Sequence, residues 1–102
     1  MKTIQKQVDD WAQTLETPYW QPLEIVARLV EEVGEVARAV NIEFGAKKQK
    51  PGEDLQDIEN ELGDVIFTLA CIANSLDLDL ERGFQHSMKK CTGRDKDLHV
   101  KK

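Results

Sequence analysis

The sequence has no unbroken apolar run of the roughly 18 residues that a membrane-spanning helix needs, and its first residues, Met1-Lys2-Thr3-Ile4-Gln5, lack the apolar stretch of a signal peptide. Membrane insertion and export are therefore not expected. The chain reads as cytoplasmic, with its two cysteines, Cys71 and Cys91, reduced rather than paired. Proline occurs only at 18, 22 and 51, and glycine only at 34, 45, 52, 63, 83 and 93, so long stretches carry no helix breaker. Lysine and arginine are absent from 53 to 81, a segment with nine acidic residues. With a pI near 5.0 and no basic stripe, the chain lacks the electrostatic footprint of a nucleic-acid binder. Its natural partners are cations, and small phosphates that a metal ion bridges to the acids.

What is present is the composition of a globular domain. The chain has 102 residues, 40% of them apolar and 32% charged, with a net charge of −5. A domain of this size buries only about 60–65% of its unfolded surface, so the core is thin and self-association is favoured. Residues 1–102 are read as a single domain.

The spacing predicts four helices and no strand. Over 3–16, Thr3 can cap a helix that places Ile4, Val8, Trp11 and Leu15 on one face. From Gln21 to Gly45, with Pro22 in the first turn, Val26, Val30, Val33, Ala37, Val40 and Phe44 form a main apolar row, and Ile25, Leu29 and Val36 a second one. A basic, exposed loop follows over 46–52. The third helix is expected over 53–75, with Ile58, Leu62, Val65, Leu69, Ile72 and Leu76 as its core row. After a turn at 75–79, Asp79 can cap a fourth helix to about Lys90, and the polar tail is expected to fray. The architecture is all-α, a four-helix bundle.

One internal echo carries the chemistry. Glu32-Val33-Gly34-Glu35 in the second helix matches Glu61-Leu62-Gly63-Asp64 in the third, both acid-x-Gly-acid. Acids at i and i+3 project from the same helix face about 5–6 Å apart, so two such helices facing each other offer four oxygen donors to a divalent ion. Hard oxygen donors without histidine or cysteine select Mg²⁺ or Mn²⁺ over zinc or copper. The mid-helix glycines, each costing roughly 1 kcal/mol relative to alanine, are expected to let the helices approach closely. A di-iron bundle would need Glu-x-x-His, and His86 and His99 follow Gly83 and Lys96 instead. An EF-hand loop is also missing. Cys71 reads as a buried core thiol. The plain alternative for the acids is a solvated helix face.

Taken together, Tyr19-Trp20-Gln21-Pro22-Leu23, the run Leu29 to Glu35 with its EExxE, the ExxD from Glu61 to Asp64, and Lys90 with Arg94-Asp95 resemble the MazG-like nucleotide pyrophosphohydrolases of the all-α NTP pyrophosphatase superfamily, particularly its short single-domain members. The resemblance covers nearly the whole chain. It implies Mg²⁺-dependent hydrolysis of nucleoside triphosphates to monophosphate and pyrophosphate, in the housecleaning of unwanted nucleotides, by a homodimer or homotetramer. It implies Glu32, Glu35, Glu61 and Asp64 as metal ligands and Glu31 as general base, a carboxylate free of metal that takes a proton from the attacking water. Lys90 and Arg94 then match the family's phosphate-binding basic pair. Trp20 and Asn74 are candidates for holding the base, by stacking and by a polar contact. The rival reading is a non-catalytic helical dimerisation or regulatory module.

Overall fold

The computed structural model describes residues 1–45 and 55–94, with the side chains of 57–93 in the second segment. The expected loop at 46–52, the first two residues of the expected third helix and the tail beyond 94 lie outside the described residues. Four α-helices follow one another: α1 Lys2–Ala12, α2 Pro22–Phe44, α3 Leu55–Ser75 and α4 Leu80–Lys89, the last running into a wider π-type turn over Lys90–Arg94. The described residues contain no strand. The fold is the all-α arrangement expected, and no described helix is long and apolar enough to cross a membrane.

Helix α1 is shorter than its apolar spacing suggests. It ends at Ala12, where the Thr14 hydroxyl and the Leu15 N–H donate to the carbonyls of Trp11 and Ala12. These tight i to i+3 bonds close the last turn, and Pro18 disfavours helical geometry at Thr17. Leu15 therefore leaves the helix for the loop. By contrast, α2 begins and ends where its signals stand. The Gln21 N–H donates to the Glu24 carboxylate at 3.1 Å, and Pro22 opens the first turn. At the far end the Gly45 N–H reaches the Asn41 carbonyl at 2.9 Å, and a Cβ at Gly45 would fall 2.6 Å from that oxygen. Asp79 caps α4 as expected by accepting from the Arg82 N–H, after a turn in which Asp77 takes a positive φ of 58°.

The packing corrects the expected core. Helix α2 packs on α3 and on no other helix of the described chain, so it buries one stripe only. That stripe is the secondary row: Ile25 and Ile42 are buried, and Leu29 and Val36 half-buried. The main row faces outward, with Val30 at 67% and Phe44 at 70% exposure. On α3 the buried positions are Thr68, Ala70 and Ala73, whereas Leu62 and Leu76 of the expected core row are exposed. Helix α1 lies against α3, with Val8 and Ala12 buried and Trp11 edge-on to Phe67 at a ring separation of 5.7 Å. None of the described large side chains is fully buried.

The helix-interior glycines do not mark a close approach within the chain. A Cβ built on Gly34 or Gly63 meets nothing within 4 Å. The expected crowding is therefore absent, because α2 and α3 touch along the 25–29–36–42 stripe and each glycine faces away from the neighbouring helix.

Candidate active site

The two acid-x-Gly-acid segments meet. One carboxylate oxygen from each of Glu32, Glu61 and Asp64 lies within 4.8 Å of the others. The spacing of a single helical turn puts Glu61 and Asp64 side by side on α3, and Glu32 faces them from the buried stripe of α2. Glu32 is 6% exposed, Glu61 half-buried and Asp64 exposed, so the cluster runs from the helix interface out to solvent. Burial pushes the Glu61 carboxyl above its usual range, and the negative charges of Asp64, Glu35 and Glu32 add to the rise against the opposing charge of Arg38. Three converging carboxylates, with the charge of Glu35 nearby, form a set of hard oxygen donors that fits a divalent metal ion.

Two acids of the cluster, Glu32 and Asp64, line a cleft of about 520 Å³. Its lining joins the charged Arg28, Glu32 and Asp64 to the aromatic Trp11, Tyr19, Trp20 and Phe67, with Ile25 of α2 and Thr68 and Cys71 of α3. Each helix supplies an acid, Glu32 or Asp64, and an apolar lining residue seven positions or about two turns away, Ile25 or Cys71, while Phe67 stands within a turn of Asp64.

A polar network behind the cleft fixes its aromatic wall. The Tyr19 hydroxyl donates to Asp9 at 2.5 Å and accepts from the Asn74 amide at 3.1 Å. The other Asn74 amide hydrogen goes to the Gln5 carbonyl at 3.0 Å, and its oxygen accepts from the Gln5 side chain at 2.9 Å. Gln5 in turn donates to the Leu78 carbonyl and accepts from the Leu80 N–H at 2.8 Å, which ties α1 to the α3–α4 turn. Burial, then the bond to Asp9, push the Tyr19 phenol up to about 12.

Of the expected site residues, the structure brings Glu32, Glu61, Asp64 and Trp20 to the cleft or to the acidic cluster. Glu35 sits one turn beyond Glu32, exposed, with its charge felt at Glu61. Glu31 is exposed and receives the Arg28 guanidinium at 3.2 Å. Asn74 stands outside the cleft lining, both its amide hydrogens spent within the chain. Lys90 is exposed and outside the lining as well, and the side chain of Arg94 lies outside the described residues. Cys71 is half-buried and lines the cleft rather than sitting in a core, while Cys91 is exposed and both thiols are free. Sequence reasoning did not single out Arg28, Phe67 and Thr68 as site residues. Their signal was helical register, since each stands three or four residues from an acid of the cluster.

A family model for the MazG nucleotide pyrophosphohydrolase domain matches residues 21–99, which contain every acid of the cluster. The chain belongs to the MazG nucleotide pyrophosphohydrolase family. These proteins are hydrolases. The sequence is 46% identical to YpjD of Bacillus subtilis (strain 168) over all 102 residues, which span 92% of that relative. The crystal structure of that YpjD superposes with a TM-score of 0.81, covering 87% of this chain and 91% of that one. A MazG protein conserved in Bacillus, itself a nucleotide pyrophosphohydrolase, superposes at 0.77 with 44% identity, covering 94% and 93% of the two chains. The cleft thus belongs to a MazG fold over most of its length.

Proposed function

We propose that the protein hydrolyses nucleoside triphosphates, ribo- or deoxyribo-, to nucleoside monophosphate and pyrophosphate with Mg²⁺, which Mn²⁺ can replace, in the removal of unwanted nucleotides. The observation that carries this reading is the mixed lining of the cleft. Acidic side chains that suit a metal–phosphate complex and aromatic side chains that suit a base line one continuous space of about 520 Å³, a volume proper to a small ligand. Family membership supplies the reaction class.

In this reading Glu32, Glu61 and Asp64, with Glu35 from the next turn, hold the divalent ion. A divalent ion bound by these residues would supply polarisation of the α-phosphoryl group and offset the charge that develops there. Glu31, outside the converging triad, takes the proton of the attacking water. Trp20 and Trp11 flank the base, and Tyr19 holds the loop that carries Trp20. Lys90 and Arg94 are assigned to the phosphates. Because Lys90 does not line the cleft of its own chain, that role falls to the site of a neighbouring copy.

The outward apolar row of α2 supports assembly as a homodimer or homotetramer, since a small monomer rarely leaves such a row to water. The family match over 21–99 and the packing of α1 on α3 support one domain spanning 1–102, working in the cytoplasm where nucleotides are made and used. Nucleic acid and membrane are not read as partners.

The test is product analysis. All ribo- and deoxyribonucleoside triphosphates are incubated with and without Mg²⁺, and monophosphate and pyrophosphate are separated by anion exchange. Metal-dependent pyrophosphate that disappears in Asp64→Asn and Glu31→Gln supports the reading. Folded protein that binds Mg²⁺ but releases no pyrophosphate from any nucleotide favours the non-catalytic module, and release of inorganic phosphate alone points to a different phosphohydrolase.

A further inference from the structure

The Gln5 side chain joins three parts of the fold at one point. Its Nε2 donates to Asn74 Oδ1 near the end of α3 and to the Leu78 carbonyl in the turn that follows, both at 2.9 Å. Its Oε1 accepts from the Leu80 N–H at 2.8 Å, across 75 residues of sequence. That N–H belongs to the first residue of α4, where a helix offers its own donors no acceptor. From Arg82 to Lys89 every residue of α4 is exposed, so the direction of the helix is set at this first turn.

The bonds run in one sense throughout. A backbone N–H can only donate, so the Leu80 contact fixes which end of the Gln5 amide is oxygen. Gln5 Nε2 then faces Asn74, whose facing atom must be its own oxygen, and this turns Asn74 Nδ2 towards the Gln5 carbonyl and the Tyr19 hydroxyl, at 3.0 and 3.1 Å. Tyr19 accepts from Asn74, so its proton goes to Asp9, whose carboxylate can only accept. Gln5 and Asn74 are half-buried, and neither lines the cleft. Their route to it is through Tyr19 and the next residue, Trp20, which both do.

We propose that Gln5 is a positioning residue for the nucleotide: pinned by the Leu80 N–H, it orients the Asn74 amide and through it the Tyr19 hydroxyl, so that the loop carrying Trp20 stands in place against the cleft. The proposal rests on reading the cleft as a nucleotide site with Trp20 against the base. An orientation handed from group to group is lost as soon as one intermediate group cannot both give and receive a hydrogen bond. Gln5 therefore governs how well the base is held, while the acids in the middle of α2 and α3 lie outside its reach.

The experiment is calorimetric titration of wild type, Gln5→Met, Gln5→Glu, Tyr19→Phe and the double variant Gln5→Met with Tyr19→Phe. Each is titrated with Mn²⁺ alone and then, at saturating Mn²⁺, with the α,β-methylene analogues of the four common nucleoside triphosphates, and each is melted by circular dichroism. Methionine fills the space without a hydrogen-bonding amide, whereas glutamate still accepts from Leu80 but has no proton for Asn74. Both Gln5 variants should bind the analogue roughly two- to tenfold more weakly with Mn²⁺ affinity unchanged, and glutamate, which keeps the α4 contact, should lose less melting temperature than methionine. A binding loss that does not follow the stability loss separates positioning from support of the fold. In the Tyr19→Phe background, where the relay is already cut, Gln5→Met should weaken analogue binding by no more than about twofold. Gln5→Glu takes the place of Gln5→Met throughout if the latter does not fold. Wild-type analogue affinity in the Gln5 variants, losses that track melting temperature, or an undiminished effect in the Tyr19→Phe background each overturn the role of Gln5 and leave the proposed function standing. If wild type binds no analogue, the nucleotide reading of the cleft falls and takes this proposal with it.

Discussion

Tyr19 donates its phenolic proton to Asp9 across 2.5 Å, joining the loop between α1 and α2 to the helix ten residues earlier. Asn74 of α3 completes the joint by donating to the same oxygen. Two elements thereby converge on a single hydroxyl, and the next residue, Trp20, is part of the cleft wall. The aromatic wall of the site is thus held from behind by polar bonds, in a chain whose apolar core is too thin to do so by packing alone.

This joint is directly measurable because Tyr19 is the only tyrosine of the chain. The phenolate absorbance should titrate with a midpoint of about 12 rather than near 10. A phenol whose pKa is raised on folding adds stability that is complete below the unfolded value near 10 and is lost as the pH climbs through about 12. Tyr19→Phe should lower the melting temperature by several degrees at neutral pH and raise KM for nucleotide, with Mn²⁺ affinity unchanged. A titration midpoint near 10, or a Phe variant as stable as wild type, would show the joint to be unimportant.

The sequence marks the helices and the acids clearly, for physical reasons that are local. Gln21-Pro22, Gly45 and Asp79 act within one turn of themselves, and α2 and α4 begin or end at those signals. Glu61 and Asp64 share a face through helical register alone. What spacing does not carry is the choice between two apolar rows on α2, because both satisfy the period and only the number of packing partners decides between them. Asn74 illustrates the same limit. As a polar residue ten positions beyond Asp64 it suited a ligand contact, yet its amide is spent on Gln5 and Tyr19, which lie 69 and 55 residues away in sequence. Arg28 likewise is an ordinary helix-surface arginine until the fold puts Glu32 beneath it.

Glu61 makes the acidic cluster a source of pH-dependent instability in the metal-free protein. Its carboxyl is raised above 4.5 by burial and by neighbouring carboxylates. A carboxyl raised on folding contributes stability that is complete below its unfolded pKa and declines as the pH rises through the folded one. Glu61→Gln removes that decline. Metal-free Glu61→Gln should melt above wild type at neutral pH, and the gap should close as the pH falls towards 4.5. Saturating Mg²⁺ should reverse the order, because wild type gains binding energy that the amide variant largely lacks. A gap that is constant with pH would mean the cluster carries no repulsion.

Gly63 offers a stabilising substitution beside the site. A Cβ there meets no atom within 4 Å, and alanine is favoured over glycine in a helix interior by about 1 kcal/mol. Gly63→Ala should therefore raise the melting temperature by roughly 4–8 °C, as expected of a domain this small. If it instead destabilises the protein in a concentration-dependent way, the open space beside Gly63 is occupied by a second copy.

The outward row of α2 makes the strongest demand on assembly. Val30 and Phe44 are 67% and 70% exposed, and Val26, Val33 and Val40 continue the row between and beside them. An isologous interface meets each substitution twice, so one charge placed in the middle of the row introduces two into the joint. Light scattering of wild type should give a dimer or tetramer, and Val30→Glu should shift the mass downward while leaving the helical circular dichroism signal in place. A second variant, Leu23→Glu, marks the end of the surface: Leu23 is 84% exposed and stands in the same register seven residues before Val30, at the first turn of α2, so its effect on mass should be smaller than that of a charge in the middle of the row. A wild type that remains monomeric up to high concentration would remove assembly from the reading, and with it the assignment of Lys90 to a neighbouring copy's phosphates.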